Sequence, residues 1–279
     1  MMISVIIANH NGEEHLDRCL RSLGCPGPEL EIIVVDNASS DDSLDLVAGR
    51  FPAVRVLPQS RNLGFAAANN IGAEVAKGDA LLLVNNDAWL EPGALELMAA
   101  RLESEPRAGL VAPRLCYPDG RRQFSWSPAR GVLGEALQQL RNGFEASSWV
   151  HGAAARGLGR LAGRPWYTAA CILIRSRAFR QIGGFDTNYF MYFEDVDLCV
   201  RLEEAGWCLV QEPRAVVTHV GGIRRCATVD DLYRPSQLRY YRVHRPAWES
   251  RLVARRLRRR FGDAEVERWL GIGEEECTS

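Results

Sequence analysis

The sequence predicts an α/β protein: a mostly parallel sheet flanked by helices, in a single main domain with a C-terminal helical extension. Three observations carry this. Short apolar runs of strand length recur through the first 220 residues, stretches with helical apolar spacing separate them, and three of the runs end in clusters of Asn and Asp. A parallel return requires a crossover of a dozen or more residues, which a helix supplies. Open α/β sheets bind ligands outside the carboxyl ends of their strands.

The elements follow in order. ISVIIAN (3–9) is a continuous apolar run that reads as a buried strand, and Leu16, Cys19, Leu20 and Leu23 then recur at helical spacing. EIIVVD (31–36) is the second strand, and NASSDDS offers cap residues for a short helix through Leu44 and Val47. VRVLP (54–58) is the third, followed by a helix from Phe65 to Ala76. ALLLVNND (80–87) is the fourth; Pro92 then suits a helix start, with Leu95, Met98 and Leu102 on one face. LVAPRL (110–115) is a further strand. From 119 to 165 the pattern gives way to Gly-, Ala- and Arg-rich sequence around one short helix, VLGEALQQL. A stretch this long is a functional loop or lid, or a segment of no consequence. AACILIRS (169–176) is a strand, AFRQIGGFD a helix ending at Gly183-Gly184, and EDVDLCVRLEEAG a helix stopped by Gly206. WCLVQE and AVVTH read as two short strands. The main domain is therefore expected over 1–225, with 119–165 as its variable part, and the basic helical extension and tail over 226–279.

Composition narrows the function classes. A chain of 279 residues, 47% hydrophobic, can bury a full core, and its net charge of -1 argues against general nucleic-acid binding. No apolar run approaches the roughly 20 residues needed to cross a bilayer. The N-terminus MMISVIIANHN lacks a charged leader and a cleavage site, so a cytoplasmic, unprocessed protein is expected. The eight cysteines show no C-x-x-C spacing, which favours buried free thiols over disulfides or zinc. RLVARRLRRR (251–260) carries six arginines. Val253, Leu257 and Phe261 fall on one helical face, with Arg251, Arg255, Arg258 and Arg259 on the other. Residues 251–261 can lie on an anionic membrane surface, or the apolar stripe can pack on the protein with the arginines in water; both readings stay open.

Strand one ends in Asn9-His10-Asn11, strand two in Asp36-Asn37 and strand four in Asn85-Asn86-Asp87. Any one of these is explained as a turn; three at one sheet edge point to a ligand site. The glycine motifs of dinucleotide and P-loop sites are absent, and Gly12 alone makes no phosphate cradle. Bound phosphates would need another source of positive charge. Asp87 offers one through a metal, since Mg²⁺ typically takes one or two protein carboxylates and completes its shell with water and phosphate oxygens. Glu194 and Asp195 open a helix, where carboxylates complement the dipole without any catalysis.

Five segments together resemble a known family: SVIIANHNGEEHLDRCLRSL, EIIVVDNASSDDS, RNLGFAAANNIGAEVAKGDALLLVNNDAWLEPGAL, CILIRSRAFRQIGGFDTNYFMYFEDVDLCVRLEEAGW and AVVTHVGG, spanning about 3–222. The chain resembles family 2 glycosyltransferases of the GT-A fold, in their rhamnosyltransferase-like branch. The resemblance implies an inverting transferase of polysaccharide or cell-wall biosynthesis. It would move a sugar from a nucleotide-diphosphate donor to a hydroxyl of a glycan or lipid-linked acceptor. The branch suggests dTDP-rhamnose, with UDP- and GDP-sugars open.

Carried onto this sequence, the resemblance places Asp36 at the nucleotide base with Ala8 and Asn9 beside it, and Asn11 and Asn37 in the same clusters. Arg61, Asn62 and Gly64 would lie against the nucleoside. Asn85-Asn86-Asp87 stands where the family has Asp-x-Asp, with Asn85 in place of the frequent first Asp, so Asp87 would hold Mg²⁺ or Mn²⁺ with His219 as second ligand. Asp195 would be the general base, with Glu194 adjacent. Tyr189, Phe190, Tyr192 and Phe193 either face a sugar or belong to the core. The Q-x-x-R-W motif of processive relatives is absent after His219, which implies one sugar per encounter. A sugar nucleotidyltransferase would show a glycine-rich basic loop near the N-terminus, which is missing here; a non-catalytic nucleotide-sugar-binding protein of the same fold is the other alternative.

Overall fold

The computed structural model describes residues 1–123, 126–127, 131–132, 135, 165–221 and 228–271. The apolar runs of the first half become β1 (Ile3–Asn9), β2 (Leu30–Asp36), β3 (Arg55–Pro58) and β4 (Ala80–Val84). Between them lie α1 (Glu13–Ser22), α2 (Ser43–Arg50) and α3 (Gly64–Val75). A three-residue strand β5 (Ala88–Leu90), helix α4 (Ala94–Ser104) and β6 (Ala108–Cys116) follow. Two short strands, β7 (Trp126–Ser127) and β8 (Trp166–Tyr167), pair with each other. Then come β9 (Cys171–Arg175), α5 (Ser176–Gln181), α6 (Glu194–Glu204) and β10 (Cys208–His219).

The main sheet has the order β3-β2-β1-β4-β9-β6-β10-β5. Four of its seven pairings are parallel: β3 with β2, β2 with β1, β1 with β4, and β6 with β10. The parallel half is the one built by helical crossovers, while β9 enters antiparallel between β4 and β6. The stretches WCLVQE and AVVTH form the single strand β10 rather than two strands. Its register shifts between Glu212 and Val216, around Pro213, which cannot donate to the ladder. Both faces of the sheet are covered, as near-continuous apolar strands require. Val5 and Ile7 pack with Leu16, Val47 and Met98 on one side, and Ile6 and Leu83 with Ala68, Phe179 and Leu198 on the other.

The C-terminal segment forms α7 (Thr228–His244), α8 (Ala247–Phe261) and α9 (Asp263–Gly271). Val253 and Leu257 are buried with Tyr241, Val266 and Trp269 against Val196 and Val200 of α6, and Phe261 meets Trp269 edge-on at 5.1 Å. The apolar stripe of 251–261 is thus taken up by packing inside the protein. Among the described residues no helix is long and apolar enough to cross a membrane. The six described cysteines are free thiols; Cys226 and Cys277 lie outside the described residues. So do most of the 119–165 variable segment and the tail from 272 to 279; of the helix expected at VLGEALQQL, Val132 and Glu135 are described, both helical.

Candidate active site

The parallel register sets Asn9 beside Asp36, at the carboxyl ends of β1 and β2. Asn9 donates from Nδ2 to Asp36 Oδ1 (3.1 Å) and Ser39 Oγ (3.1 Å), and Asn86 donates to Asn9 Oδ1 at 2.8 Å. The Ser39 hydroxyl donates to Asp36 and accepts the Asn11 N–H at 3.0 Å. The three polar clusters are therefore one hydrogen-bonded net at one sheet edge. Gly12 is required at its centre, because a Cβ there would fall 2.1 Å from Asn86 Nδ2 and 2.2 Å from Asn9 Oδ1.

The net also sorts the expected nucleotide residues. Asn9, Asp36 and Asn37 are buried, and their polar atoms are engaged with protein groups. Their side chains hold the ends of β1 and β2 together. Asn37 accepts the Leu63 N–H at 2.9 Å and donates to Asn62 Oδ1 at 2.8 Å, which pins the RNLGF loop beside β2. Asn11, Arg61 and Asn62 are exposed, with Ala8 half-buried. Gly64 has φ +83°, and a Cβ there would lie 2.5 Å from the backbone oxygen of Phe190. Gly64→Ala is therefore expected to destabilise the fold by about 2–4 kcal/mol, from left-handed strain plus a backbone clash. Urea denaturation checks this, and a loss below about 0.5 kcal/mol would show that the loop yields.

After β4 the chain turns through Asn85-Asn86-Asp87, with the Ala88 N–H bonded to the Asn85 carbonyl at 3.1 Å. β5 then pairs antiparallel with β10, which brings Ala88 opposite His219. Asp87 Oδ1 lies 3.2 Å from His219 Nε2, and Asn85 Nδ2 lies 3.3 Å from the same nitrogen. Burial alone would raise the Asp87 carboxyl, but hydrogen bonding and charge from His219, with the backbone N–H groups of Asp87 and Gly221, hold it below its ordinary value. His219 Nδ1 sits 2.8 Å from Gln123 Oε1. An amide oxygen only accepts, so Gln123 holds a proton on Nδ1; Nε2, which faces Asp87, is the nitrogen that would ligate a cation on giving up its proton.

These groups fit a divalent cation. They include one carboxylate, one imidazole nitrogen, and the buried Asn85 Oδ1, which has no hydrogen-bond partner among the described residues. Among the described residues no cluster of three His, Cys, Asp or Glu occurs there; phosphate oxygens and water would complete the shell, as Mg²⁺ and Mn²⁺ commonly allow. Gln123 was not singled out from the sequence, because it lies in the segment with no regular pattern. Gln123→Ala is expected to weaken Mn²⁺-dependent nucleotide binding about 10- to 100-fold, with metal-free binding unchanged in calorimetric titration.

At the start of α6 two carboxylates occupy different surroundings. Asp195 accepts the Val196 N–H at 2.8 Å, with further hydrogen bonds from the Ala169 N–H and the Thr168 hydroxyl. Burial nevertheless pushes its carboxyl up to about 6. Glu194 is buried, and its Oε2 has no partner among the described residues. Burial first, and then the charge of Asp195, raise it well above the usual carboxylate range. The two carboxyls thus differ: both are raised by burial, Glu194 also by the charge of Asp195, while Asp195 ionises at about 6. Asp197 is engaged elsewhere, with Arg201 and His244 each at 2.6 Å. Residues 168–170 join the two halves of the site, because the Asn85 N–H donates to the Ala170 oxygen at 2.9 Å.

Backbone strain is concentrated at the same edge. Among the described residues, the non-glycine positions with positive φ are Asn11 and Ala38, after β1 and β2, and Tyr192 and Phe193, immediately before Glu194. Such conformations cost on the order of 1–3 kcal/mol each and persist where surrounding structure holds a functional geometry. Of the four expected aromatics, Tyr189 is buried, while Tyr192 and Phe193 pack on Tyr233 at 5.6 and 5.2 Å. Phe190 is 41% exposed and can offer a face to a ligand.

The family model described as Glycosyl transferase family 2 matches residues 4–183. The chain is 32% identical over 233 residues to the N-acetylglucosaminyl-diphospho-decaprenol L-rhamnosyltransferase of Mycobacterium tuberculosis, covering 78% of this chain and 76% of that protein. It is 25% identical over 222 residues to the Rhamnosyltransferase WbbL of Escherichia coli, covering 74% and 78%. Among solved structures, S. aureus TarS 1-349 superposes with a TM-score of 0.54 at 16% identity, over 98% of this chain and 70% of that one. GalNAc-T7 with UDP, GalNAc and Mn2+ gives 0.62 at 18% identity, over 87% and 48%. At these identities the structural likeness speaks to the fold alone.

Proposed function

The chain belongs to glycosyl transferase family 2, and from that premise we propose that it is an inverting, non-processive glycosyltransferase dependent on a divalent metal. Its donor is a nucleoside-diphosphate sugar, with rhamnose as the transferred sugar, and its acceptor is a hydroxyl of a glycan or lipid-linked glycan. The rhamnosyltransferase relatives support the donor, and the decaprenol-linked substrate in one relative's name supports the acceptor. Residues 1–225 form the transferase unit and 226–279 a C-terminal helical extension.

One observation carries the reading: residues 168–170 tie an Asp that ionises near neutrality to the turn holding Asp87, Asn85 and His219. Asp195 takes the proton of the acceptor hydroxyl, whose oxygen attacks the anomeric carbon. The bond from that carbon to the diphosphate oxygen breaks with its electron pair, and the configuration inverts. Glu194, whose carboxyl burial pushes well above the usual range, is the poorer proton acceptor of the two only in its protonated form, and Asp195 carries the role of base. Asp87, His219 and the Asn85 carboxamide oxygen would hold the cation, which when bound neutralises the charge developing on the diphosphate. Exposed Arg61, with no ion pair among the described residues, adds positive charge near the nucleotide.

The test is transfer from dTDP-rhamnose, UDP-sugars and GDP-sugars to a polyprenyl-diphosphate N-acetylglucosamine acceptor with Mn²⁺. Nucleoside diphosphate release and the anomeric configuration of the product are read together. Donor binding without release would indicate a non-catalytic binding protein, and pyrophosphate-dependent formation of nucleoside triphosphate would indicate a nucleotidyltransferase.

A further inference from the structure

With Val253 and Leu257 buried, the outward side of α8 stands exposed, and it is not plainly polar. On a projection of about 3.6 residues per turn, Trp248, Leu252, Arg255 and Arg259 cluster opposite Leu257, with Arg251 at their flank. Trp248 is 60% exposed and Leu252 40%, and Val243 at the end of α7 is 52% exposed. Of the five large apolar side chains exposed among the described residues, these three lie between positions 243 and 252; the others are Leu44 and Phe190. The arginines beside them differ from their neighbours. Arg258 pairs with Asp263 and Glu267, and Arg245 with Glu249, whereas Arg251, Arg255 and Arg259 have no ion pair among the described residues. An indole and a leucine followed along one face by unneutralised guanidinium groups suit the boundary between headgroups and acyl chains. There the ring and alkyl groups leave water while the cations meet lipid phosphates.

We propose that the outer face of α8, with Val243, is a docking surface for an anionic lipid membrane. This is the face opposite the stripe that sequence periodicity marks as apolar, and charge complementarity selects its occupant: a bilayer bearing net negative headgroups. The purpose of docking rests on the lipid-linked acceptor proposed above; the docking itself does not.

Co-sedimentation of the full chain with vesicles of phosphatidylglycerol and phosphatidylcholine, and of phosphatidylcholine alone, tests it. The full chain is expected to bind the anionic vesicles and to bind neutral ones far more weakly. Each basic side chain near an anionic surface contributes about fivefold to partitioning. Arg251→Gln, Arg255→Gln and Arg259→Gln together should therefore lower binding about 10²-fold. Trp248→Ala with Leu252→Ala should lower it by about tenfold or more through lost apolar burial. Wild-type binding by either variant set, equal binding to neutral vesicles, or no binding by the full chain would overturn the proposal. So would a concentration-dependent dimer, seen by light scattering, that Trp248→Ala abolishes, because the face would then belong to a second copy. Transfer to a water-soluble acceptor, measured on the same variants, should equal that of the full chain. Absence of transfer throughout would count against the glycosyltransferase reading without touching the vesicle result.

Discussion

Asp195→Asn is expected to lower sugar transfer by about 10²–10⁴-fold, the usual contribution of a general base, while nucleotide affinity holds. It should also raise stability at neutral pH. Burial lifts the folded-state Asp195 carboxyl to about 6, above its ordinary value. The stability contributed by the bound proton is complete below the unfolded pKa of about 3.9 and is lost as pH rises through about 6. Above that pH the wild-type protein carries a partly buried charge that asparagine does not. Asparagine retains an oxygen for the Val196 N–H, so the helix start survives the change. The melting temperature of the variant should therefore match or exceed that of the wild type at pH 7.5, with the difference closing toward pH 4. In the wild type, kcat/KM should rise with pH through an apparent pKa near 6. Retention of more than about a tenth of the wild-type rate would place the base elsewhere.

Asp87→Ala is expected to reduce Mn²⁺-dependent affinity for the nucleoside diphosphate by at least about 10²-fold, since even residues that only orient a ligand account for 10- to 100-fold. Metal-free affinity should not change, because the Asn9–Asp36 net does not include Asp87. His219→Ala should act in the same direction but less strongly, water being able to fill one ligand position. Calorimetric titration with and without Mn²⁺ separates these effects. Equal Mn²⁺-dependent affinity in wild type and Asp87→Ala would remove Asp87 from the metal site.

β1, β2 and β4 were legible in the sequence because their central positions are buried on both faces, so the continuous apolar run is itself the signal. The three Asn/Asp clusters were legible for the related reason that polar residues begin where those runs leave the core. The sequence by itself thus determined the alternation of strands and helices and the residue types at the strand ends, and its motifs identified the family. Tertiary structure decided the rest. Which of the Asn and Asp side chains are consumed in the Asn9–Asp36–Ser39 net depends on strand register, a property of pairs of strands and of neither alone. The division of labour between Glu194 and Asp195 depends on Thr168 and Ala169, which approach from another part of the chain. Gln123 reaches His219 across 96 positions of sequence, a contact that no local pattern encodes. Periodicity identified the face of 251–261 that is apolar, but whether that face meets protein or lipid depends on what packs against it. With Val253 and Leu257 taken up by α7, α9 and α6, it is the opposite face that stands exposed, with Trp248 and with arginines that make no ion pair among the described residues.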